Sequence, residues 1–400
     1  MAGVACRRVV RSLYSIGMTN QDLTATEATL GPTAGLQDTP ATYSAAGSPI
    51  SGAKVLVTGA SGFVGFNVAS ALAAHGVAVR AMLRRVAGGP RWSSLPGIEL
   101  VSGDVSDPAS LDGATAGVDS VIHTAALTQL MPRPRRQAMR VNVEGTRNVC
   151  EAALRAGVRR LVFTSSSAIL APGTADAPAD EDSPFDPAGP RSAYYLSKWK
   201  AEKVVRGFAA RGLETICLCP AYVIGPGDFR PTTNALILQS ARSPLLIMPP
   251  GGINFIDVRE VALAHVRALW MGKPGRRYVL AGPYSSYWGL ARSVKRMLGL
   301  RTRGFVLPGL LEFPLAAAMA IASGVLPNVP DKLTVPGIRF GFVDFHMSGR
   351  RADAAFRLKH RPLEVTLRNT LRWFRSLPAG PLQRRFELPH VEEGRQAGAV

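Results

Sequence analysis

The chain of 400 residues is long enough for two domains, or for one domain with a large insertion, and its 46% apolar and 19% charged residues with 40 Gly and 30 Pro describe a turn-rich globular protein. Collagen, coiled coil and a wholly disordered chain are excluded, and four cysteines (Cys6, Cys150, Cys217, Cys219) without paired C-x-x-C spacing encode neither a zinc site nor a disulfide framework, which suits a reducing, cytoplasmic compartment. The net charge of +19 comes from 47 Lys and Arg against 28 Asp and Glu; these bases are scattered in pairs and triplets and tighten only at Arg133, Arg135, Arg136 and Arg140, so no specific nucleic-acid partner is expected.

Residues 1–51 show neither helical nor strand periodicity and are rich in Ala, Thr, Ser and Gly, so they read as an extension outside the fold. Arg7, Arg8 and Arg11 with no acid before Asp22 resemble a transit peptide in composition; organelle targeting and a start codon placed too far upstream are the two alternatives. From Lys54 the chain alternates short apolar runs with amphipathic stretches: Val55 to Val57, Phe63 to His75, Val77 to Leu83, Ser120 to Ile122, Val141 to Ala156, Leu161 to Phe163. This is the strand–helix–strand rhythm of an α/β protein with a doubly wound parallel sheet, assigned to residues 52–225. After Pro220 the pattern loosens, with helices expected near Val258 to Trp270, Trp288 to Leu298 and Leu363 to Phe374. Residues 226–376 are therefore assigned to a smaller substrate-binding part with segments returning to the core, and 377–400 to a flexible tail. The apolar stretch Leu307 to Leu326 is broken by Glu312 and Pro314, which leaves Leu315 to Leu326 as a clean helix of ~18 Å against ~30 Å of hydrocarbon. No transmembrane span is expected: the segment reads as a helix of the substrate-binding part, with shallow membrane contact as the alternative.

Thr58-Gly59-Ala60-Ser61-Gly62-Phe63-Val64-Gly65 follows a buried-type strand and opens a helical pattern. Gly59 allows a tight turn, Gly62 lets backbone approach a pyrophosphate, Gly65 lets helix and strand pack closely, and the helix N-terminus offers free N–H groups to the anion. An acid some twenty residues on would accept the ribose hydroxyls of NAD. No Asp or Glu occurs from Thr39 to Ile98, and the second strand ends at Leu83-Arg84-Arg85, so two guanidiniums stand where the acid would be and NADP is expected over NAD.

Tyr194-Tyr195-Leu196-Ser197-Lys198 begins a helical stretch that puts Tyr194 and Lys198, at i and i+4, on one face. An ammonium beside a phenol would lower its pKa toward working pH, as a general acid/base for an alcohol or ketone requires. Upstream, Leu161-Val162-Phe163 runs into Thr164-Ser165-Ser166-Ser167, so hydroxyls emerge at the C-terminal end of a strand, where open α/β sheets bind ligands.

Taken together these motifs resemble the extended short-chain dehydrogenase/reductases of the NAD(P)-dependent epimerase/dehydratase superfamily. The resemblance runs from the glycine turn through Gly103-Asp104-Val105, His123-Thr124-Ala125-Ala126, Asn142 to Thr146, Thr164 to Ser166 and Tyr194 to Lys198 into Pro220-Ala221-Tyr222-Val223-Ile224-Gly225-Pro226-Gly227-Asp228, roughly Lys54 to Arg375. It implies an NAD(P)-binding Rossmann fold with Tyr194 as acid/base, Lys198 holding the ribose and lowering the Tyr pKa, and Ser166, third after Phe163, orienting the substrate oxygen. It further implies that Gly59, Ser61, Gly62, Phe63, Val64 and Gly65 cradle the phosphates. Arg84 and Arg85 would meet the 2′-phosphate, and Asp104 and Val105 the adenine. Thr124, Ala125, Ala126, Asn142, Thr164, Pro220 and Val223 would line the rest of the cofactor site. No metal site is implied, and a homodimer is left open. The runs Tyr222 to Pro226 and Ile169-Leu170-Ala171 depart from the sugar-nucleotide branch, whereas Ile253 to Ala262 and Leu307 to Leu326 look more like dihydroflavonol reductases and 3β-hydroxysteroid dehydrogenases. The implied activity is an NADP-dependent oxidoreductase acting on a ketone or secondary alcohol of a largely apolar small molecule. The alternatives are a nucleotide-sugar epimerase/dehydratase with retained cofactor, and a non-catalytic NADP- or RNA-binding family member.

Overall fold

The computed structural model describes residues 52–86, 97–130, 136–185, 192–325 and 333–377, with Trp92, Leu95 and Leu388 besides. The extension 1–51, Arg133, Arg135 and the tail beyond 377 apart from Leu388 lie outside the described residues. In chain order the first part contains β1 (Lys54–Thr58), α1 (Phe63–Ala74), β2 (Ala78–Leu83), β3 (Ile98–Ser102), α2 (Pro108–Thr115) and β4 (Ser120–His123). A helical turn (Arg136–Met139) and a π-turn (Arg140–Glu144) then lead into α3 (Gly145–Arg155), followed by β5 (Arg160–Thr164), α4 (Ala193–Ala209) and β6 (Glu214–Pro220). The second part adds β7 (Tyr222–Ile224), α5 (Ala235–Arg242), β8 (Leu246–Met248), β9 (Gly252–Asp257), α6 (Val258–Ala268), β10 (Arg277–Leu280), β11 (Tyr284–Ser286) and α7 (Tyr287–Met297). It ends with β12 (Gly304–Val306), α8 (Glu312–Val325), α9 (Val335–Phe342), β13 (Asp344–Phe345), α10 (Arg350–Phe356) and α11 (Leu363–Ser376).

Seven strands form one sheet in the order β3-β2-β1-β4-β5-β6-β10, every neighbouring pair parallel. Strand residues alternate between two layers: Val55, Val57, Val79 and Val162 join the core under α1 and α6, while Leu56, Val121, Leu161 and Phe163 join the core under α2, α3 and α4. Burial on both faces is why these strands read as continuous apolar runs. Of the part assigned to the substrate, β10 extends the main sheet beside β6, and α6 packs on α1. The rest builds a small sheet around β9, paired antiparallel with β11 and parallel with β7 and β13, and a two-stranded parallel pair of β8 with β12.

Two expected boundaries shift. The helix expected from Val141 to Ala156 begins in a π-turn that carries Asn142, and α8 starts at Glu312, three residues ahead of the expected Leu315. Pro314 falls in the first turn of α8, where the missing N–H has no intrahelical acceptor to lose and the ring blocks nothing upstream. Among the described residues no helix is long and apolar enough to cross a membrane.

The second part is tied down by a histidine clamp. His360 meets Glu260 on α6 through Nδ1 (2.7 Å) and Asp353 on α10 through Nε2 (2.9 Å), and the Arg361 amide donates to Glu260 (2.7 Å). The bonds to Asp353 and Glu260 raise the imidazole from its usual 6.5 to about 9, against the opposing effect of burial. Because the folded pKa lies above the unfolded one, this stabilisation is complete below about pH 6.5 and is lost as the pH rises through 9. Thermal melts should therefore fall between pH 6 and 9.5, and His360→Ala should flatten that part of the profile; an unchanged profile in the variant would assign the pH sensitivity elsewhere.

Candidate active site

Strand order reverses between β1 and β4, so the turns leaving their C-terminal ends diverge and open a crevice. The glycine turn lies against one wall of it. Gly59 has φ +69°, and a Cβ there would stand 2.6 Å from the Ala125 backbone; one at Gly65 would stand 2.3 Å from the Gly59 carbonyl oxygen and 2.6 Å from Thr124 Oγ1. Gly62 is the N-cap of α1, exposed, and supplies no capping side chain. The first-turn amides of α1 thus face the crevice edge without a side-chain acceptor, which fits the phosphates of a dinucleotide. Ser61, Phe63 and Val64 sit half-buried along the same turn.

At the end of β2, Arg84 and Arg85 are exposed. Across from them Asp104 is half-buried: burial pushes its carboxyl up, but the Ser106 hydroxyl (2.7 Å) and amide (2.8 Å) and the charges of Arg84 and Arg140 bring it below the usual range. Arg140 was not among the cofactor residues read from the sequence. The Val105 side chain is buried against Gly145, where a Cβ would stand 2.7 Å from Val105 Cγ2, so its side chain serves packing on α3.

The candidate reacting end is assembled by β5 and α4. Three consecutive serines follow β5 and part ways: Ser165 is buried and donates to Glu202 (2.6 Å), Ser167 is buried, and Ser166, half-open, caps a 3₁₀ turn with its hydroxyl near enough to the Tyr194 phenol to favour the phenolate. Ser192 caps α4 by accepting from the Tyr194 amide (3.1 Å), which fixes the start of the helix. Tyr194 and Lys198 then project from one face of α4, with Lys198 buried, 4.2 Å from the centre of the Phe163 ring, and its ammonium donating to the Thr164 carbonyl (2.5 Å). Thr164 itself donates to His265 Nε2 (2.7 Å), an imidazole that burial pushes down to about 4. Pro220 at the end of β6 and Val223 in β7 are both buried.

The expected lowering of the phenol pKa is not found in this arrangement. Burial raises Tyr194, only the Ser166 hydroxyl draws it back, and the ammonium is aimed at the Thr164 carbonyl rather than at the phenol. Burial also takes Lys198 itself down to about 8, with Cys219 and Glu202 beneath it acting in the opposite sense.

Asn142, expected at the cofactor, is buried and fully engaged by protein. Its Oδ1 accepts from the Leu127 amide (2.7 Å), and its Nδ2 donates to the Leu127 carbonyl (2.9 Å) and to Ser197 Oγ (2.8 Å), which donates in turn to the Tyr194 carbonyl (2.7 Å). Thr124 likewise spends its hydroxyl on the Thr58 carbonyl (2.7 Å), while Ala125 and Ala126 remain half-buried at the crevice. The π-turn turns Asn142 into this clamp, a usual office of such bulges. A buried chain joins it to the glycine turn: Thr146 donates to the Asn142 carbonyl (2.6 Å), so it accepts from His123 Nε2 (3.0 Å), and His123 Nδ1 accepts from Thr58 (2.6 Å). Burial pushes His123 down to about 3, consistent with the neutral ring this chain needs.

Under the site, Glu202 is buried one turn beyond Lys198 and holds Ser165, Arg277 Nε (2.7 Å) and Cys219 Sγ (3.6 Å). Sequence reading missed Glu202, Ser197, Thr146 and His123 as parts of the site. Only the i, i+4, i+8 spacing of Tyr194, Lys198 and Glu202 signals one of them. Among the described residues no group of three or more His, Cys, Asp or Glu could hold a metal.

The model of the NAD dependent epimerase/dehydratase family matches residues 55–281, which span every element just described from β1 to β10. The chain belongs to this family. It is 31% identical over 302 residues to sterol demethylase protein B of Methylococcus capsulatus, covering 75% of this chain and 90% of that one. It is also 31% identical over 327 residues to a putative dihydroflavonol 4-reductase of Synechocystis sp., covering 80% and 94%. Among solved structures it superposes on gox2253 with a TM-score of 0.70 at 32% identity, covering 80% of this chain and 97% of that one. On a nucleoside-diphosphate-sugar epimerase from Pseudomonas aeruginosa the TM-score is 0.66 at 25% identity, with 81% and 97% covered. The sequence expectations of a Rossmann-like parallel sheet, an NAD(P) nucleotide cofactor and oxidoreductase chemistry are those of the family.

The close approach at Gly65 gives a direct test. Gly65→Ala drives its Cβ into the Gly59 carbonyl, which is backbone and cannot swing aside as the Thr124 hydroxyl can, so it should cost ~1–3 kcal/mol or more and weaken nucleotide binding at least tenfold; melting curves and a titration with NADPH measure both.

Proposed function

We propose that the protein is an NADP-dependent oxidoreductase that moves a hydride between the nicotinamide and a ketone or secondary alcohol of a largely apolar substrate. The observation that carries this reading is the convergence of Tyr194, Ser166 and Lys198 at the C-terminal edge of β5, across the crevice from the glycine turn. When bound, the reduced cofactor supplies the hydride. Ser166 Oγ donates a hydrogen bond to the substrate oxygen, Tyr194 Oη gives that oxygen its proton as the carbonyl carbon becomes a carbinol, and the phenolate left behind is reprotonated from solvent. Lys198, released from the Thr164 carbonyl toward the ribose, would bring its charge to bear on the phenolate.

The preference for the phosphorylated cofactor is supported by Arg84 and Arg85, exposed at the end of β2 in a stretch free of acid, with Arg140 beyond Asp104. The apolar substrate is supported by the names of the relatives: a sterol demethylase protein, a putative dihydroflavonol 4-reductase, and a 3 beta-hydroxysteroid dehydrogenase/Delta 5-->4-isomerase of Mycobacterium tuberculosis that is 35% identical over 184 residues, 44% of this chain and 48% of that one. Likeness to a nucleoside-diphosphate-sugar epimerase favours the second reading, in which oxidation and re-reduction cancel. A panel of cyclic ketones with NADPH absorbance as readout separates the two: net consumption supports the oxidoreductase, whereas turnover without net change supports the epimerase.

Two sets of variants test the roles. Tyr194→Phe should lower kcat by ~10²–10⁴ with NADPH binding intact, whereas Tyr195→Phe, whose ring packs on Phe340 with centroids 6.2 Å apart, should stay near the parent. A Tyr194→Phe enzyme with parental kcat would overturn the mechanism. NADPH should bind more tightly than NADH, and Arg84→Asp should cost NADPH ~10–100-fold; equal dissociation constants in the parent chain would sink the NADP assignment.

A further inference from the structure

Nine large apolar side chains are exposed among the described residues, and seven of them fall between 245 and 321. They are arranged, not scattered. From Leu245 through β8 burial alternates, with Leu246 and Met248 inward and Leu245 and Ile247 outward, and Ile247 is in register with the exposed Phe305 of β12. Two residues beyond β12 the chain turns through the 3₁₀ segment Gly309–Leu311 directly into α8, where Leu310 is 78%, Phe313 70% and Ile321 74% exposed. From Phe313 to Val325 the helix carries no charged residue, yet of residues 312–322 only Ala316 is buried. A helix apolar all round belongs in a core or in lipid, and at 14 residues and ~21 Å α8 is too short to span a bilayer.

The surroundings identify the occupant. No Asp or Glu occurs from Val261 to Leu311, while Arg292, Arg296, Arg301 and Arg303 are exposed on the segment leading into this face. A second copy docking by two-fold symmetry would bring these arginines against one another; anionic headgroups would pair with them while the acyl region received Phe305, Leu310, Phe313 and Ile321. We propose that the face formed by β8, β12 and α8 docks on an anionic lipid bilayer, lying in its interface without crossing it. Helix α9 packs on α8 and brings Phe340 to Tyr195, next to Tyr194. An apolar substrate would then reach the cleft from the lipid, a clause that rests on the proposed function; the docking itself does not.

The test is flotation of the full-length chain with vesicles of phosphatidylcholine alone or with one-third phosphatidylglycerol. The parent should bind the anionic vesicles at least tenfold more strongly, with affinity falling as salt rises. Leu310→Ser/Phe313→Ser/Ile321→Ser should lose binding tenfold or more to both, and Arg301→Glu/Arg303→Glu should lose about 20-fold or more on the anionic vesicles alone. NADPH titration checks that each variant is folded, and the arginine pair, being surface residues, carries the test should the serine triple fail to fold. A parent that floats with neither vesicle, or variants that bind as the parent does, overturns the proposal. So does a parent dimer that the serine triple splits while no vesicle is bound, which would assign the face to a second copy. Vesicle binding without ketone turnover would retain the docking and reject the reaction.

Discussion

The contact on which the site depends is backbone on backbone: the turn after β1 lies so close to Ala125 in the loop after β4 that Gly59 has no room for a Cβ, and α1 settles so close onto the Gly59 carbonyl that Gly65 has none either. That contact fixes the separation of the two diverging strand ends and therefore the width of the crevice. It also orients α1, whose N-terminus reaches the crevice only because Gly65 lets the first turn of the helix settle onto the Gly59 carbonyl. Thr124 adds a side-chain hydrogen bond to the Thr58 carbonyl across this contact, and the polar chain behind it, Thr58 to His123 to Thr146 to the Asn142 carbonyl, keeps β1, β4 and the π-turn in register. A neutral His123 suits this place because it donates at one nitrogen and accepts at the other; a buried imidazolium could only donate.

A second buried assembly supports the candidate reacting end from below. Glu202 and Arg277 join α4 to β10, and Ser165 ties the same carboxylate to the end of β5. Such a pair loses much of its Coulombic gain to desolvation, so its contribution lies more in geometry than in stability. It ties the helix bearing Tyr194 and Lys198 to the end of β5, from which the chain runs into Ser166. With Asn142 and Ser197 holding the Tyr194 carbonyl from the other side, α4 is fixed at both edges of the cleft.

These supports explain which parts were legible in the sequence. The parallel sheet was readable because strands buried on both faces leave unbroken apolar runs, and the glycine turn because a residue without Cβ announces a close approach. Tyr194 and Lys198 were readable from helical spacing. Sequence order puts Asn142 near a loop on the cofactor side but does not give its direction, and a π-turn rotates one side chain by an amount no regular period encodes. Glu202, Thr146 and His123 escaped because their partners lie 75, 23 and 65 residues away, and such pairings exist only once the sheet has assembled. The start of α8 lies ahead of the expected Leu315 for a local reason: the first turn of a helix tolerates a proline such as Pro314.

The two ends of the crevice differ in how they are made, and this bears on what can enter. The nucleotide end is backbone, glycine and guanidinium, carried by the first strands of the sheet, and Asp104 within it is held ionised by Ser106 and by the arginines on either side. An anion bound there exchanges water for fixed N–H groups and charges already in place, which favours a phosphate-rich ligand regardless of what occupies the other end. Beside the other end the Tyr195 ring lies against Phe340 of α9, and under the proposed function an apolar body would meet this aromatic surface, where a charged or heavily hydroxylated group would give up hydration. A substrate bearing its own diphosphate would therefore find its matching chemistry at the end already suited to the cofactor. A single polar oxygen on an apolar body needs only Ser166 and Tyr194, and those two hydroxyls are what the cleft places between its two ends.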